Sequence, residues 1–254
     1  MSTKSKIAIV TGGSRGLGRD MVLSLAKNGN TIIFTYHSNK TQADKVVSEV
    51  VSLGQKAIAC PLDLGNIKAF ESFVDQVKGH LQQLQGAPSF DYLINNAGVG
   101  LYGSVTDTTE AVFDTLLNIH FKGVYFLTQK LLPLLSDGGA IINISSSLTR
   151  ISSPNVSAYA SMKGAIETYT RYLAKELGSR QIRANSIAPG AIATDFAGGG
   201  AKSDENQRKA IAAITALGRV GEPEDIGGVV AFLCTAEAGW INAQRIEVSG
   251  GRMI

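Results

Sequence analysis

The chain has 254 residues, of which 44% are apolar and 18% charged. That balance supports a sizeable packed core and excludes a disordered or solvating role. The net charge of +3 is scattered, with no Lys/Arg run interleaved with aromatics, so neither charge nor pattern points to a nucleic-acid partner.

Short β-branched runs alternate with longer stretches of helical period. The first strand is expected over 7–10, where Ile7-Ala8-Ile9-Val10 is apolar at every position, as in a parallel strand covered on both faces. It leads into Thr11-Gly12-Gly13-Ser14-Arg15-Gly16-Leu17-Gly18 and a helix over 18–27. Strands are expected next over 31–36, 57–60, 92–95, 140–144, 183–187 and 245–248. Helices are expected over 41–53, 67–84, 109–135, 157–177 and 223–233, with Pro223 suited to a first helical turn. This alternation predicts an α/β fold with a parallel sheet and right-handed crossovers. No repeat or composition shift marks a boundary, so 1–254 reads as a single domain.

Three stretches depart from the regular pattern. The helix over 109–135 carries Val112, Phe113, Leu116, Leu117, Ile119, Phe121, Val124, Tyr125, Phe126 and Leu127 around more than one face. Such a helix is either deeply buried or covered by a partner chain, which predicts association through 109–135 and 157–178. Over 191–216, Gly198-Gly199-Gly200 and Lys202-Ser203-Asp204-Glu205-Asn206 interrupt the alternation after a strand. This reads as a substrate lid, with a plain surface insertion as the alternative. The stretch 80–90 is slightly long and suggests no function.

The start of the chain, Met1-Ser2-Thr3-Lys4-Ser5-Lys6 and then the run 7–10, is too short in apolar residues for a leader, and no stretch approaches a membrane span. Cys60 and Cys234 are far apart and lie in no metal or redox spacing, so both read as free thiols. A cytoplasmic protein with no membrane partner and no metal is expected.

Candidate chemistry begins at the glycine-rich turn. Glycines let a strand-to-helix backbone turn tightly against a pyrophosphate, and the helix N-terminus supplies free N–H groups. The turn lacks the third glycine of G-x-G-x-x-G, whose place is taken by Met21, and such a turn also serves connections that bind nothing. At the end of the second strand, Thr35-Tyr36-His37-Ser38-Asn39-Lys40 contains no acid to hold a ribose 2′-hydroxyl. His37, Lys40 and Arg15, with the small donors Ser38 and Asn39, suit a 2′-phosphate instead, which favours NADP(H) over NAD(H). Tyr159 and Lys163 are four apart on one helix face, and a nearby ammonium favours a phenolate. A Tyr tuned in this way protonates a developing alkoxide or deprotonates an alcohol. By itself the pair is also what a helix surface displays. The strand 140–144 ends at Ser145-Ser146-Ser147, where a hydroxyl can meet a substrate oxygen, and Asn118 is an amide inside an apolar helix.

Taken in order, these blocks resemble the short-chain dehydrogenase/reductase family in its short single-domain branch. Thr11-Gly12-x-x-x-Gly16-x-Gly18 is similar to the family's cofactor turn. Asp63-Leu64 resembles its adenine contact, and Asn95-Asn96-Ala97-Gly98 its N-N-A-G segment. Pro189-Gly190, Ile192 and Thr194 resemble its nicotinamide-side loop, and Gly250-Gly251 its C-terminus. Asn118, Ser146, Tyr159 and Lys163 fall at the spacings of its catalytic tetrad, Ser146 being chosen because it precedes Tyr159 by thirteen residues. The resemblance implies a Rossmann-type, doubly wound parallel sheet of seven strands in the order 3-2-1-4-5-6-7, often in a homotetramer or homodimer. It implies Tyr159 as general acid/base and Lys163 as the group that lowers its pKa and bonds the nicotinamide ribose. Ser146 would hold the substrate oxygen, and Asn118 a water that passes protons to Lys163. No metal is needed. The expected activity is NADP(H)-dependent reduction of a ketone or other carbonyl. Oxidation of a sugar, steroid or other secondary alcohol is the alternative, and nucleotide binding without turnover a third reading. One branch reduces 3-oxoacyl groups on acyl carrier protein; here Arg180 suits carrier docking, but Ser136-Asp137 places an acid where that branch is basic. The expected substrate pocket draws on Leu101, Tyr102, Leu148, Ile151 and Phe196, with Arg150 as a further contact or a solvent-facing charge.

Overall fold

The computed structural model describes residues 5–254. The reading of residues 1–4 as lacking a leader lies outside them. Among the described residues, seven strands form one parallel sheet in the order β3-β2-β1-β4-β5-β6-β7. They are β1 (Ile7–Val10), β2 (Thr31–Tyr36), β3 (Ala57–Pro61), β4 (Phe90–Asn95), β5 (Leu135–Ile144), β6 (Arg183–Pro189) and β7 (Arg245–Val248).

Side-chain alternation divides the core into two layers. Ile7 and Ile9 of β1 face one layer with Phe70, Val77, Leu127 and Ile166, from α3 (Phe70–Gln85), α5 (Gly123–Leu131) and α6 (Ser157–Glu176). Ala8 and Val10 face the other, with Met21, Val46 and Val230 from α1 (Gly16–Lys27), α2 (Lys40–Ser52) and α9 (Glu224–Leu233). Each fully buried side chain of this size contributes about 1.5–3 kcal/mol relative to exposure. Met21 is such a side chain, which explains why no glycine stands there. Cys60 and Cys234 are buried free thiols, and burial pushes them up to about 11 and about 12, so both stay protonated and unreactive.

The expected helix over 109–135 is broken. It consists of α4 (Glu110–Leu117), a π turn at Asn118–Lys122 and α5, followed by a short 3-10 turn at Leu132–Leu134. The widened turn lies where Gly123 approaches the Leu64 carbonyl; a Cβ at 123 would stand 2.2 Å from that oxygen. Pro133 lacks the N–H that an α-helix would need, and β5 begins at Leu135 rather than 140. Pairing then jumps from Phe90–Leu135 to Tyr92–Ala140 and leaves 136–139 bulged. Arg180 is fixed to this bulge, donating to Asp137 Oδ1 at 2.8 Å and to the Leu132 and Leu135 carbonyls.

The long 80–90 stretch continues α3 to Gln85. Residues 191–216 are ordered rather than open: a turn at Phe196–Gly199, then α7 (Gly200–Ser203) and α8 (Glu205–Ala213), whose first turn is capped by Asp204. No helix among the described residues is long and apolar enough to cross a membrane.

Candidate active site

The C-terminal ends of β1, β4, β5 and β6 open on one cavity of about 540 Å³. It lies where the strand order reverses around β1 and β4, the expected position for a ligand in an open α/β sheet.

The glycine-rich turn forms one end. Gly12 has φ +68°, and a Cβ there would meet Ala97 Cα at 2.9 Å. A Cβ on Gly18 would stand 2.0 Å from the Gly12 carbonyl oxygen, so only glycine lets α1 lie this close. Thr35 fixes the turn to β2, its Oγ1 accepting from the Gly12 N–H at 3.0 Å. α1 has no side-chain cap at Arg15 and no acid in its first turn. Its first N–H groups therefore face the cavity beside Ser14, Gly16, Leu17 and Gly18, which suits a pyrophosphate.

The residues expected at the 2′ end divide. Arg15 and His37 line the cavity; Ser38, Asn39 and Lys40 do not. Asn39 caps α2 by accepting from the Gln42 N–H at 3.0 Å, and Lys40 is held 2.8 Å from Asp44 one helical turn on. On the facing walls stand Asp63, Leu64, Ala97, Gly98, Pro189, Gly190, Ile192 and Thr194. Thr11 and Asn95 do not reach the cavity. Thr11 Oγ1 accepts from the Asn96 and Ala97 N–H groups at 2.9 and 3.0 Å. Asn95 points into the core, donating to Asn143 Oδ1 at 2.8 Å and Thr128 Oγ1 at 3.1 Å. Its neighbour Asn96 takes the cavity side, as strand alternation requires.

Ser146, Tyr159 and Lys163 come together at the other end. Ser146 stands just past β5 and caps the short turn Ser147–Thr149 through the Leu148 N–H. Tyr159 and Lys163 lie on the cavity face of α6 and are only 8% and 5% exposed. Lys163 Nζ donates to the Ile144 carbonyl at 2.7 Å and stands 5.7 Å from the Tyr159 ring centre. The expected lowering of the Tyr159 pKa is not what this geometry gives. Burial raises the phenol, Tyr102 adds to the rise, and the Ser146 hydroxyl opposes it. Burial also brings Lys163 down to about 7. Both groups are driven toward their neutral forms by desolvation.

Asn118 does not line the cavity. The π turn that begins there inserts a residue and presents Ile119 and His120 instead. His120 is 1% exposed, edge-on to Tyr159 with ring centres 5.1 Å apart, and its Nε2 lies 2.8 Å from the Val99 carbonyl. Its Nδ1 is buried with no partner among the described residues. Burial, then the Lys163 charge, bring it down to about 3, so the ring is neutral. Sequence reading missed His120; its one signal was a polar ring inside the apolar run Ile119-His120-Phe121.

Around Tyr159 the wall is largely apolar: Val99, Tyr102, Leu148, Val156, Phe196 and Ile211. Leu101 and Ile151 lie behind it rather than on it. Arg150 is no substrate contact. It is paired with Glu247 through two bonds of 2.8 and 2.6 Å.

Comparison with known proteins places this geometry among characterised reductases. A family described as enoyl-(acyl carrier protein) reductase matches residues 12–252. Versicolorin reductase 1 of Dothistroma septosporum is 35% identical, over 97% of this chain and 95% of that protein. The landomycin C-6 ketoreductase LanV, solved with NADP and rabelomycin bound, is 33% identical with a TM-score of 0.89, covering 98% of this chain and 96% of its own. A short-chain dehydrogenase/reductase from Serratia marcescens is 30% identical with a TM-score of 0.91, covering 99% of each chain.

Proposed function

The chain belongs to the short-chain dehydrogenase/reductase family, as an oxidoreductase of C=O and CH–OH groups, and from that premise we propose that it is an NADP(H)-dependent reductase converting a ketone or other carbonyl to a secondary alcohol. The observation that carries the reading is the joining of Ser146, Tyr159 and Lys163 to the uncapped start of α1 in one cavity.

The α1 N-terminus and glycine turn would hold the cofactor pyrophosphate, and Asp63, Leu64, Ala97 and Gly98 the adenosine side. Pro189, Gly190, Ile192, Thr194 and Lys163 would hold the nicotinamide side. Arg15 and His37, with no carboxylate at the end of β2, favour a 2′-phosphate. The NADP bound by LanV supports the same assignment. When bound, the reduced nicotinamide supplies a hydride. Ser146 donates a hydrogen bond to the substrate oxygen, and Tyr159 gives that oxygen its proton. A phenol raised by burial stays protonated until the transferred hydride leaves negative charge on the substrate oxygen. The Lys163 ammonium stabilises the phenolate left behind. His120 fixes the Tyr159 ring from the side. Chemistry of this kind needs no metal.

Residues 191–216 act as the lid: Phe196, Ala197, Gly200, Ala201, Gln207 and Ile211 line the cavity from above. A free small molecule is favoured over a carrier-borne one, because Arg180 is neutralised by Asp137. A homodimer or homotetramer in the cytoplasm completes the proposal. It is tested by NADPH consumption across a panel of ketones, aldehydes and short 3-oxoacyl thioesters, with NADH in parallel. A rate with NADPH on a ketone, well above that with NADH, is expected. NADH tighter and faster than NADPH would overturn the cofactor assignment.

A further inference from the structure

The end of the chain folds back under α8. Ala216 and Leu217 donate their N–H groups to the Gly251 and Gly250 carbonyls at 3.2 and 3.1 Å, and Met253 donates to Ile214 at 2.8 Å. Arg150 holds the same segment from the other side, donating to the Arg252 and Met253 carbonyls at 2.8 and 3.2 Å. Fixed in this way, the Arg252 side chain lines the cavity together with Tyr102, Ser153 and Gln207.

The carboxylates on this side of the fold are already taken. Glu247 Oε1 accepts from Arg150 and Ser249, and Glu247 Oε2 from Arg150 and Arg245. Glu167 Oε1 accepts from Ser145, Thr149 and Arg245. Among the described residues no carboxylate is within ion-pair distance of Arg252, Glu247 acting on it only from farther off, and its Nε is buried without a hydrogen bond. Burial lowers the guanidinium pKa, yet arginine stays charged at any working pH. A partly buried, unpaired cation is costly unless a ligand completes it. The cavity it lines is the one that holds Ser146, Tyr159 and Lys163.

We propose that Arg252 recognises a carboxylate on the substrate, so that the molecule reduced is a keto acid whose apolar body lies between this arginine and Tyr159. The proposal rests on the reductase reading for its keto group; the acid-binding site itself does not. A planar guanidinium with free donors matches a carboxylate through paired bonds, and the wall of Val99, Leu148, Val156 and Phe196 covers the intervening carbon skeleton.

The test measures binding rather than turnover. The NADP⁺-loaded protein is titrated with 2-naphthoate and with its neutral analogue 2-naphthamide, for wild type, Arg252→Gln and Arg252→Lys. Naphthoate is expected to bind wild type about tenfold or more tighter than the amide. Arg252→Gln is expected to lose that preference while keeping amide and NADP⁺ affinity and melting temperature; Arg252→Lys keeps part of it. Equal affinities in wild type, or binding of neither probe, would overturn the proposal. So would weakened NADP⁺ binding in Arg252→Gln, which would place the arginine at the cofactor. A retained naphthoate preference in a protein that reduces no carbonyl would sink the reductase reading alone.

Discussion

Lys163 is a cation that burial works against, and this gives the site its pH dependence. With its ammonium brought down to about 7, the charged form is held below that value and lost above it. Tyr159, raised above its ordinary value, stays protonated through the same range, and His120 stays neutral. If reduction needs the ammonium, kcat/KM for NADPH is high below pH 7 and falls as pH rises through it. Lys163→Arg, whose charge does not titrate, is expected to move that falling limb upward by more than one pH unit, at a reduced rate. A limb unchanged in the variant would assign it to another group. Tyr159, Lys163 and Ser146 were legible in the sequence because helix spacing and the end of a strand fix where such side chains point. The π turn beginning at Asn118, which brings His120 to the wall, was not legible, because helical spacing does not foretell an inserted residue. The partners of Asn39 and Lys40 were not legible, because charge and polarity do not reveal partners. Asn39 is spent on a helix cap and Lys40 on Asp44.

At the scale of elements, the glycine turn is a packing device as much as a binding one. In Gly18→Ala the new methyl would meet a backbone oxygen that cannot swing aside. A loss of about 1–3 kcal/mol of stability is expected from overpacking, with NADPH affinity lost as the turn shifts. Thermal melting with and without NADPH checks both; an unchanged melt and unchanged cofactor shift would contradict the packing argument. Strands were legible where they are apolar on both faces, as β1 is. The start of β5 was not: Leu135 reads as the last apolar residue of a helix, and its pairing with Phe90 is a long-range fact. The helices within 191–216 were hidden by glycines that stand in turns between them.

At the scale of the molecule, α4, α5 and α6 leave aromatic side chains outside. Phe113, Tyr125 and Phe126 are 41%, 39% and 37% exposed, and Tyr172 is 62% exposed. Exposed aromatics of this kind are what the proposed association face would bury. Light scattering is expected to give a dimeric or tetrameric mass, and Tyr172→Lys with Phe126→Lys to shift it toward one chain. A wild-type mass of one chain would end the proposal. The sheet order itself was implied by family resemblance, since alternation alone fixes a parallel sheet but not its sequence of neighbours.

If Tyr159 donates the proton in carbonyl reduction, Tyr159→Phe removes the donor. The variant keeps the ring that packs on His120 and removes only the hydroxyl. NADPH-dependent reduction of the best ketone from the panel is expected to fall about 10²–10⁴-fold, with the NADPH dissociation constant unchanged. Reduction at the wild-type rate would contradict the account.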